Sequence, residues 1–256
     1  EIADEAITGT TATLHYAVDQ TPFQALPMTP TPGDDPHHRL YEVTIPAQPD
    51  RSVIEFYIEA RDPQDHHTTW PSPTLPDQIQ NANAFLIVDD RPRNSKTPEY
   101  RILMPPSERE RFLDVVQPRI TNAAGEVIRN QQIFSDGRFP ATFISYYDGQ
   151  YRVRHQVEVR NRGNGSRQRS PNNFRVDFAT DDLWRRAEKL NLNAQFPWVQ
   201  VMGSALSRHV GLLSAPSRLG RVYLNGVLRA PNAFPTYEMY AANDVMNADF
   251  AAKAGL

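Results

Sequence analysis

The chain of 256 residues contains no cysteine. That absence excludes disulfides, thiolate zinc sites and thiol nucleophiles, while leaving the compartment open. There is also no run of eighteen apolar residues, so no segment reads as a membrane-spanning helix, and the first residues lack the charged-then-apolar order of a signal peptide. Charge of one sign is missing too: 27 Lys and Arg stand against 30 Asp and Glu, a net charge of −3. No global field favours a nucleic-acid polymer or an acidic membrane, and any anion site has to be local. What is present is a hydrophobic fraction of 39%, enough for a real core in one large domain or two ordinary ones. Glu1 stands where an initiator methionine would, and Ala251–Leu256 carries no terminal cue, so we expect a piece of a longer polypeptide.

The first ninety residues read as short strands. Thr11–Val18, Leu40–Ile45, Val53–Ala60 and Ala84–Val88 alternate or cluster apolar side chains. The proline-rich stretches Thr29–Pro36 and Trp70–Pro76 separate them as turns. This pattern predicts a small β-sandwich over residues 1–90. Residues 91–98 have no apolar period and carry prolines and charges, which marks a linker.

From residue 99 the pattern changes to α+β: an antiparallel sheet with helices. Tyr100–Met104 reads as a strand, and Ser107 with Glu110 three residues later predicts a capping box for a helix ending at Val116 before Pro118. Phe139–Tyr146 and Tyr151–Val159 predict a hairpin around Asp148-Gly149. Strict alternation in the second strand puts Val153, His155, Val157 and Val159 on one face, and Arg152, Arg154, Gln156, Glu158 and Arg160 on the other. Lys189–Ala194 reads as a strand and Trp198–Val210 as a helix stopped by Gly211. Gly220–Leu224 reads as a strand entering an Asn225-Gly226 turn, and alanine-rich Tyr240–Ala254 predicts a final helix.

The most informative stretch is Arg160-Asn161-Arg162-Gly163-Asn164-Gly165-Ser166-Arg167, between one strand and the strand-like Phe174–Phe178. Three arginines and a serine hydroxyl surround two glycines able to turn through left-handed conformations and aim backbone amides at an acceptor. The chemistry fits an anion cradle; an ordinary hairpin with a solvated basic tip fits it as well.

Six segments occur in a set order: Pro98–Met104, Val157–Arg167, Asn173–Phe178, Leu190–Ala194, His209–Leu212 and Val222–Gly226, with Tyr237-Glu238 just after. In that order they resemble the spore-coat-protein-H (CotH) kinase family, over roughly residues 98–256, about three-fifths of the chain. The resemblance implies an atypical kinase-like N-terminal lobe that uses ATP with Mg or Mn to phosphorylate protein serine or threonine. It implies that Arg160, Arg162, Gly163, Asn164, Gly165, Ser166 and Arg167 cover nucleotide phosphates, and that Glu238 orients a basic side chain or a metal-bound water. Family members carry lysines after the loop; Ser170-Pro171-Asn172-Asn173 stands there in this chain, leaving Arg167 and Arg175 as the basic candidates. The family's catalytic and metal-binding aspartates belong to a further C-terminal lobe, so no catalytic residue is assigned, and Asp244 and Asp249 read as helix-face carboxylates. Residues 1–90 resemble the immunoglobulin-like or fibronectin type III-like modules of bacterial surface proteins, implying an exported or surface-associated protein. A nucleotide and a protein substrate are then the expected partners. A non-catalytic scaffold or adhesion module bound to a surface partner is the competing expectation.

Other chemistry-bearing residues carry less. His37-His38 and His66-His67, with Asp34, Asp35, Asp62 and Asp65, have metal-ligand chemistry but sit in predicted turns, where adjacent histidines point apart. His209 with Ser204 and Ser207 has no nucleophile elbow, and a histidine ending a helix caps carbonyls. Trp70, Trp184 and Trp198 read as core or lid residues.

Overall fold

The structure, a computed structural model, describes the chain apart from residues 4–6, 34, 74–79, 81, 91–95, 148 and 254–256, and apart from the side chains of residues 249 and 253. It is a mixed α/β protein made mostly of strands, with two compact units, Glu1–Asp90 and Arg91–Leu256.

In the first unit β1 (Ile2–Ala3), β2 (Thr11–Val18), β3 (Gln24–Pro27), β4 (Thr29–Pro30), β5 (His38–Arg39), β6 (Tyr41–Glu42), β7 (Val53–Arg61), β8 (His67–Trp70) and β9 (Ala84–Ile87) follow in order. β3, β2 and β7 lie side by side, and β8 and β9 share the other edge of β7; β1–β5 and β4–β6 are separate two-stranded ladders. Alternation in β2 buries Ala12, Leu14 and Tyr16 beside Val53, Ile54, Ala84 and Phe85. Two expectations need correction. Leu40–Ile45 supplies only the two-residue β6, and the proline-rich Thr29–Pro36 contains β4, because an edge ladder tolerates Pro30, which lacks an N–H.

The second unit runs β10 (Glu99–Leu103), α1 (Pro106–Val116), β11 (Arg119–Thr121), β12 (Val127–Arg129), a 3₁₀ turn (Gln131–Phe134), β13 (Phe139–Tyr147) and β14 (Gln150–Asn161). A second 3₁₀ turn (Gly165–Gln168), β15 (Phe174–Asp177), β16 (Lys189–Asn193), α2 (Pro197–His209), β17 (Ser217–Leu224), β18 (Val227–Leu228), β19 (Tyr240–Asp244) and α3 (Ala248–Lys253) complete it. The strand order β10-β13-β14-β15-β16-β19-β17 returns to β10, so seven strands close a barrel. The closing β10–β17 pair is parallel, which corrects the purely antiparallel sheet expected from sequence. Closure removes the exposed edges that an open sheet would present.

The barrel interior is filled by inward-facing residues of every strand, among them Tyr100, Ile102, Phe143, Val157, Val159, Phe174, Val176, Leu190, Leu192, Val222, Leu224 and Tyr240. Each large apolar side chain contributes on the order of 1.5–3 kcal/mol by burial. Tyr100, Phe143, Phe178 and Trp184 pack edge-to-face or stacked at 5.4–6.2 Å. The ring of Tyr100 lies over Gly220, where a Cβ would sit 2.5 Å from a ring carbon.

The predicted final helix over Tyr240–Ala254 is corrected: Tyr240–Asp244 is β19, which fills the gap between β16 and β17, and only Ala248–Lys253 is helical. Tertiary pairing and burial of Tyr240, Ala241 and Ala242 override alanine's helix propensity. Asp244 is therefore a strand residue, and the side chain of Asp249 lies outside the described residues. α1 begins at Pro106, one residue before Ser107, and its N-cap is Pro105 with no side-chain cap, so the predicted capping box does not form. α2 ends before Gly211, whose φ of +79° suits a C′ glycine, and Asn225-Gly226 makes the expected left-handed turn with φ of 44° and 77°.

Candidate arginine face

β14 and β15 pair antiparallel, so their outward residues form cross-strand rows. Arg160 faces Arg175, and Glu158 faces Asp177. The Arg160 row continues to Asn191 on β16 and Asn243 on β19. Arg162, two residues beyond Arg160, extends the same outward face.

Each charge has a defined partner except one. Arg160 donates to Asp136 at 2.7 Å, Arg175 to Asp177 at 3.0 Å, and Arg138 to Glu158 at 2.5 Å. Arg167 also donates to Asp136. Arg162 forms no ion pair among the described residues; it donates to the side-chain carbonyl of Asn193. Five arginines thus share three carboxylates, leaving two positive charges in excess on a chain whose overall charge is negative. Burial lowers the pKa values of Arg160 and Arg162; the Asp136 carboxylate opposes this at Arg160, while the charges of Arg175 and Arg167 lower both further. Guanidinium groups stay protonated regardless, so the crowding raises the local positive potential.

The loop behind this face is tightly built. Gly163 takes a φ of +106°, and a Cβ there would overlap the hydroxyl of Ser166. Gly165 is not left-handed and begins the 3₁₀ turn, which corrects the expectation that both glycines supply left-handed turns. Ser166 Oγ accepts from Asn173 Nδ2 at 3.2 Å. Arg167, expected at a phosphate, is buried and turned inward. It donates to the carbonyls of Gly163 (2.5 Å), Phe134 (2.7 Å) and Ser135 (3.0 Å), and so ties the loop to the preceding segment. Asn164 precedes the 3₁₀ turn and makes no capping bond with its side chain.

Glu238 belongs to a different place. It accepts from Arg221 Nε and Nη2 at 3.1 and 3.0 Å, so it orients a basic side chain of β17. Asn193 also donates to Gln200 Oε1, which accepts from Asn243 as well, both at 2.8 Å. Arg162 is thereby linked through Asn193 to helix α2.

Each histidine pair straddles a turn-to-strand junction, with His38 opening β5 and His67 opening β8; Asp35 accepts from the amides of His37 and His38, and Asp62 from the amide and ring of His66. Asp34 lies outside the described residues. Among the described residues no three His, Asp or Glu side chains gather to hold a metal ion. His209 is exposed at the end of α2, Trp184 is in the barrel core, and Trp70 and Trp198 are exposed.

One feature escapes the alternation reading. At residues 155–156 the β13–β14 register shifts, with Ala141 opposite Val157 but Phe143 opposite Arg154, and Gln156 has a φ of 56°. This β-bulge inverts the phase of β14. Arg154 and Arg152 therefore leave the outer row and face the barrel interior, opposite Phe143 and Ser145. The unusual density of arginines at 152, 154, 185 and 186 was the available signal. No family model and no curated protein matches the chain.

Proposed function

We propose that the barrel unit binds the phosphates of a nucleotide on the outer face of β14 and β15, as the phosphate-binding part of a CotH-like atypical kinase. The observation that carries this reading is the like-charged pair Arg160–Arg175 with Arg162 beside it and two positive charges in excess. Like charges directly opposite one another cost stability, and a bound dianion converts that cost into charge-assisted hydrogen bonds. Arg160, Arg162 and Arg175 hold the phosphates; Arg167, Gly163, Gly165, Ser166 and Asn164 shape the loop behind them. The barrel and its helices stand for the kinase-like lobe and the sheets of residues 1–90 for an immunoglobulin-like or fibronectin III-like sandwich, in an exported or surface-associated protein. The described residues supply phosphate ligands but no metal cluster, so no transfer step is assigned to them.

Calorimetric titration with ATP, inorganic triphosphate and adenosine tests the reading. ATP and triphosphate are expected to bind and adenosine to bind at least tenfold more weakly; equal binding of adenosine would overturn it.

A second reading has its own observation. Val199, Met202, Leu206 and Val210 follow one face of α2, and all are exposed, Met202 at 71%. Such a stripe fits a non-catalytic scaffold that docks a protein partner. Retained partner capture together with absent nucleotide binding would favour it.

A further inference from the structure

The open end of the barrel at the start of β14 holds a cavity of about 400 Å³ lined by Ser145, Tyr147, Arg152, Arg154, Arg185 and Arg186. It lies eight residues along β14 from Arg162, about 26 Å at the rise of a strand, and shares no residue with the arginine face. Barrel mouths are a common location for small-molecule sites, and this volume is within their range.

Arg154 is the central observation. It is 3% exposed, with its guanidinium over the rings of Trp184 (5.4 Å) and Phe178 (5.9 Å). Its Nη2 donates to the Leu183 carbonyl at 3.2 Å, and Nε lies 3.3 Å from Asp182 without hydrogen-bond geometry. Nη1 is buried and has no hydrogen-bond partner. A buried guanidinium with unused donors is costly unless something accepts from it.

The second observation is the turn that supplies the other arginines. Trp184 and Ala187 exchange backbone hydrogen bonds across a two-residue turn whose members, Arg185 and Arg186, have φ of 47° and 67°. A turn with two left-handed residues favours Asn-Gly, which this chain uses at Asn225-Gly226. Placing Arg-Arg there keeps two bulky side chains in a strained conformation, and strain of this kind is retained at functional positions. Arg185 stacks on Tyr147 at 5.1 Å, and Arg218 approaches the same ring at 5.7 Å.

The charge identifies the ligand class. Among the described residues, Arg152, Arg154, Arg185 and Arg186 line the mouth beside one carboxylate, Asp182, an excess of three positive charges; Arg218 and Asp244 act on Tyr100 with opposite sign. A carboxylate would leave two of those charges uncompensated, whereas a dianionic phosphate leaves one and has oxygens enough to accept from several guanidinium groups at once. We infer that the barrel mouth is a second anion site, taking the phosphate group of a small phosphomonoester between Arg154 and the Arg185-Arg186 turn.

Calorimetric titration with inorganic phosphate, glycerol 2-phosphate and acetate at constant ionic strength tests this. Inorganic phosphate and glycerol 2-phosphate are expected to compete for one site, with acetate at least tenfold weaker. Because Arg154→Met carries a risk of misfolding, the deciding variant is the exposed pair Arg185→Asn with Arg186→Gly. It is expected to raise the unfolding midpoint by relieving the turn while weakening phosphate at least tenfold. The variant Arg160→Gln with Arg162→Gln is expected to leave that phosphate site unchanged. Wild-type phosphate affinity in the Arg185→Asn, Arg186→Gly protein, or acetate binding equal to phosphate, would overturn the inference.

Discussion

Arg160 of β14 and Arg175 of β15 lie directly opposite each other on the outer face of the barrel, each held by a different aspartate, Asp136 and Asp177. The cross-strand repulsion costs about 0.2–1 kcal/mol, and the pair with Asp136, a carboxylate 73% exposed, returns a similar amount. Arg160→Gln should therefore leave the unfolding free energy within about 0.5 kcal/mol of the parent protein. The same change should weaken ATP about tenfold, equivalent to about 1.4 kcal/mol. Urea unfolding and calorimetry measure the two quantities separately.

The two glycines of the loop should respond differently. Gly163→Ala combines a left-handed φ with a collision against Ser166, and is expected to destabilise by about 2 kcal/mol or more. Gly165 has open space where a Cβ would be, so Gly165→Ala should stay within about 1 kcal/mol. Thermal unfolding of the two variants side by side checks the contrast.

Arg167→Met tests whether this arginine holds the loop. Three carbonyls lose a charged donor, and the expected cost is about 2–4 kcal/mol. A shift of the urea midpoint at constant slope is the expected signature. A loss of ATP affinity without that shift would instead place Arg167 at the ligand.

His155 gives the unit a pH dependence. Burial lowers its pKa below 6.5, with the charge of Asp182 opposing the effect, and Thr142 Oγ1 lies 3.1 Å from Nδ1. The unfolded chain thus takes up the proton first. Stability is fully present above the unfolded value of about 6.5 and falls as pH drops from there toward the lower folded value. His155→Gln should flatten the profile of unfolding midpoint below about pH 6.5.

Much of the barrel was legible because its strands are short apolar or alternating runs bounded by turn signals: β10, β13, β15, β16 and β17 appear where those runs lie. β19 was not, since Tyr240-Ala241-Ala242 has no alternation and becomes a strand only through two neighbours distant in sequence. The arginine loop was visible in composition, yet the division of labour within it was not. Arg160 and Arg162 stay on the outer row as alternation predicts, while Arg167 turns inward to carbonyls that come from residues 134–135. The barrel mouth was hidden by one inserted residue. A bulge at His155-Gln156 leaves no reliable mark in a single sequence, and it moves Arg152 and Arg154 to the opposite face.

The most direct measurement of the central claim is the rise in unfolding midpoint on adding ATP. A ligand at one hundred times its Kd stabilises the native state by about 2.7 kcal/mol. The account predicts that rise for the parent protein and for Arg185→Asn with Arg186→Gly, and its loss in Arg160→Gln with Arg162→Gln. A parent protein whose midpoint ATP leaves unmoved, or an undiminished rise in the Arg160→Gln, Arg162→Gln protein, would contradict it.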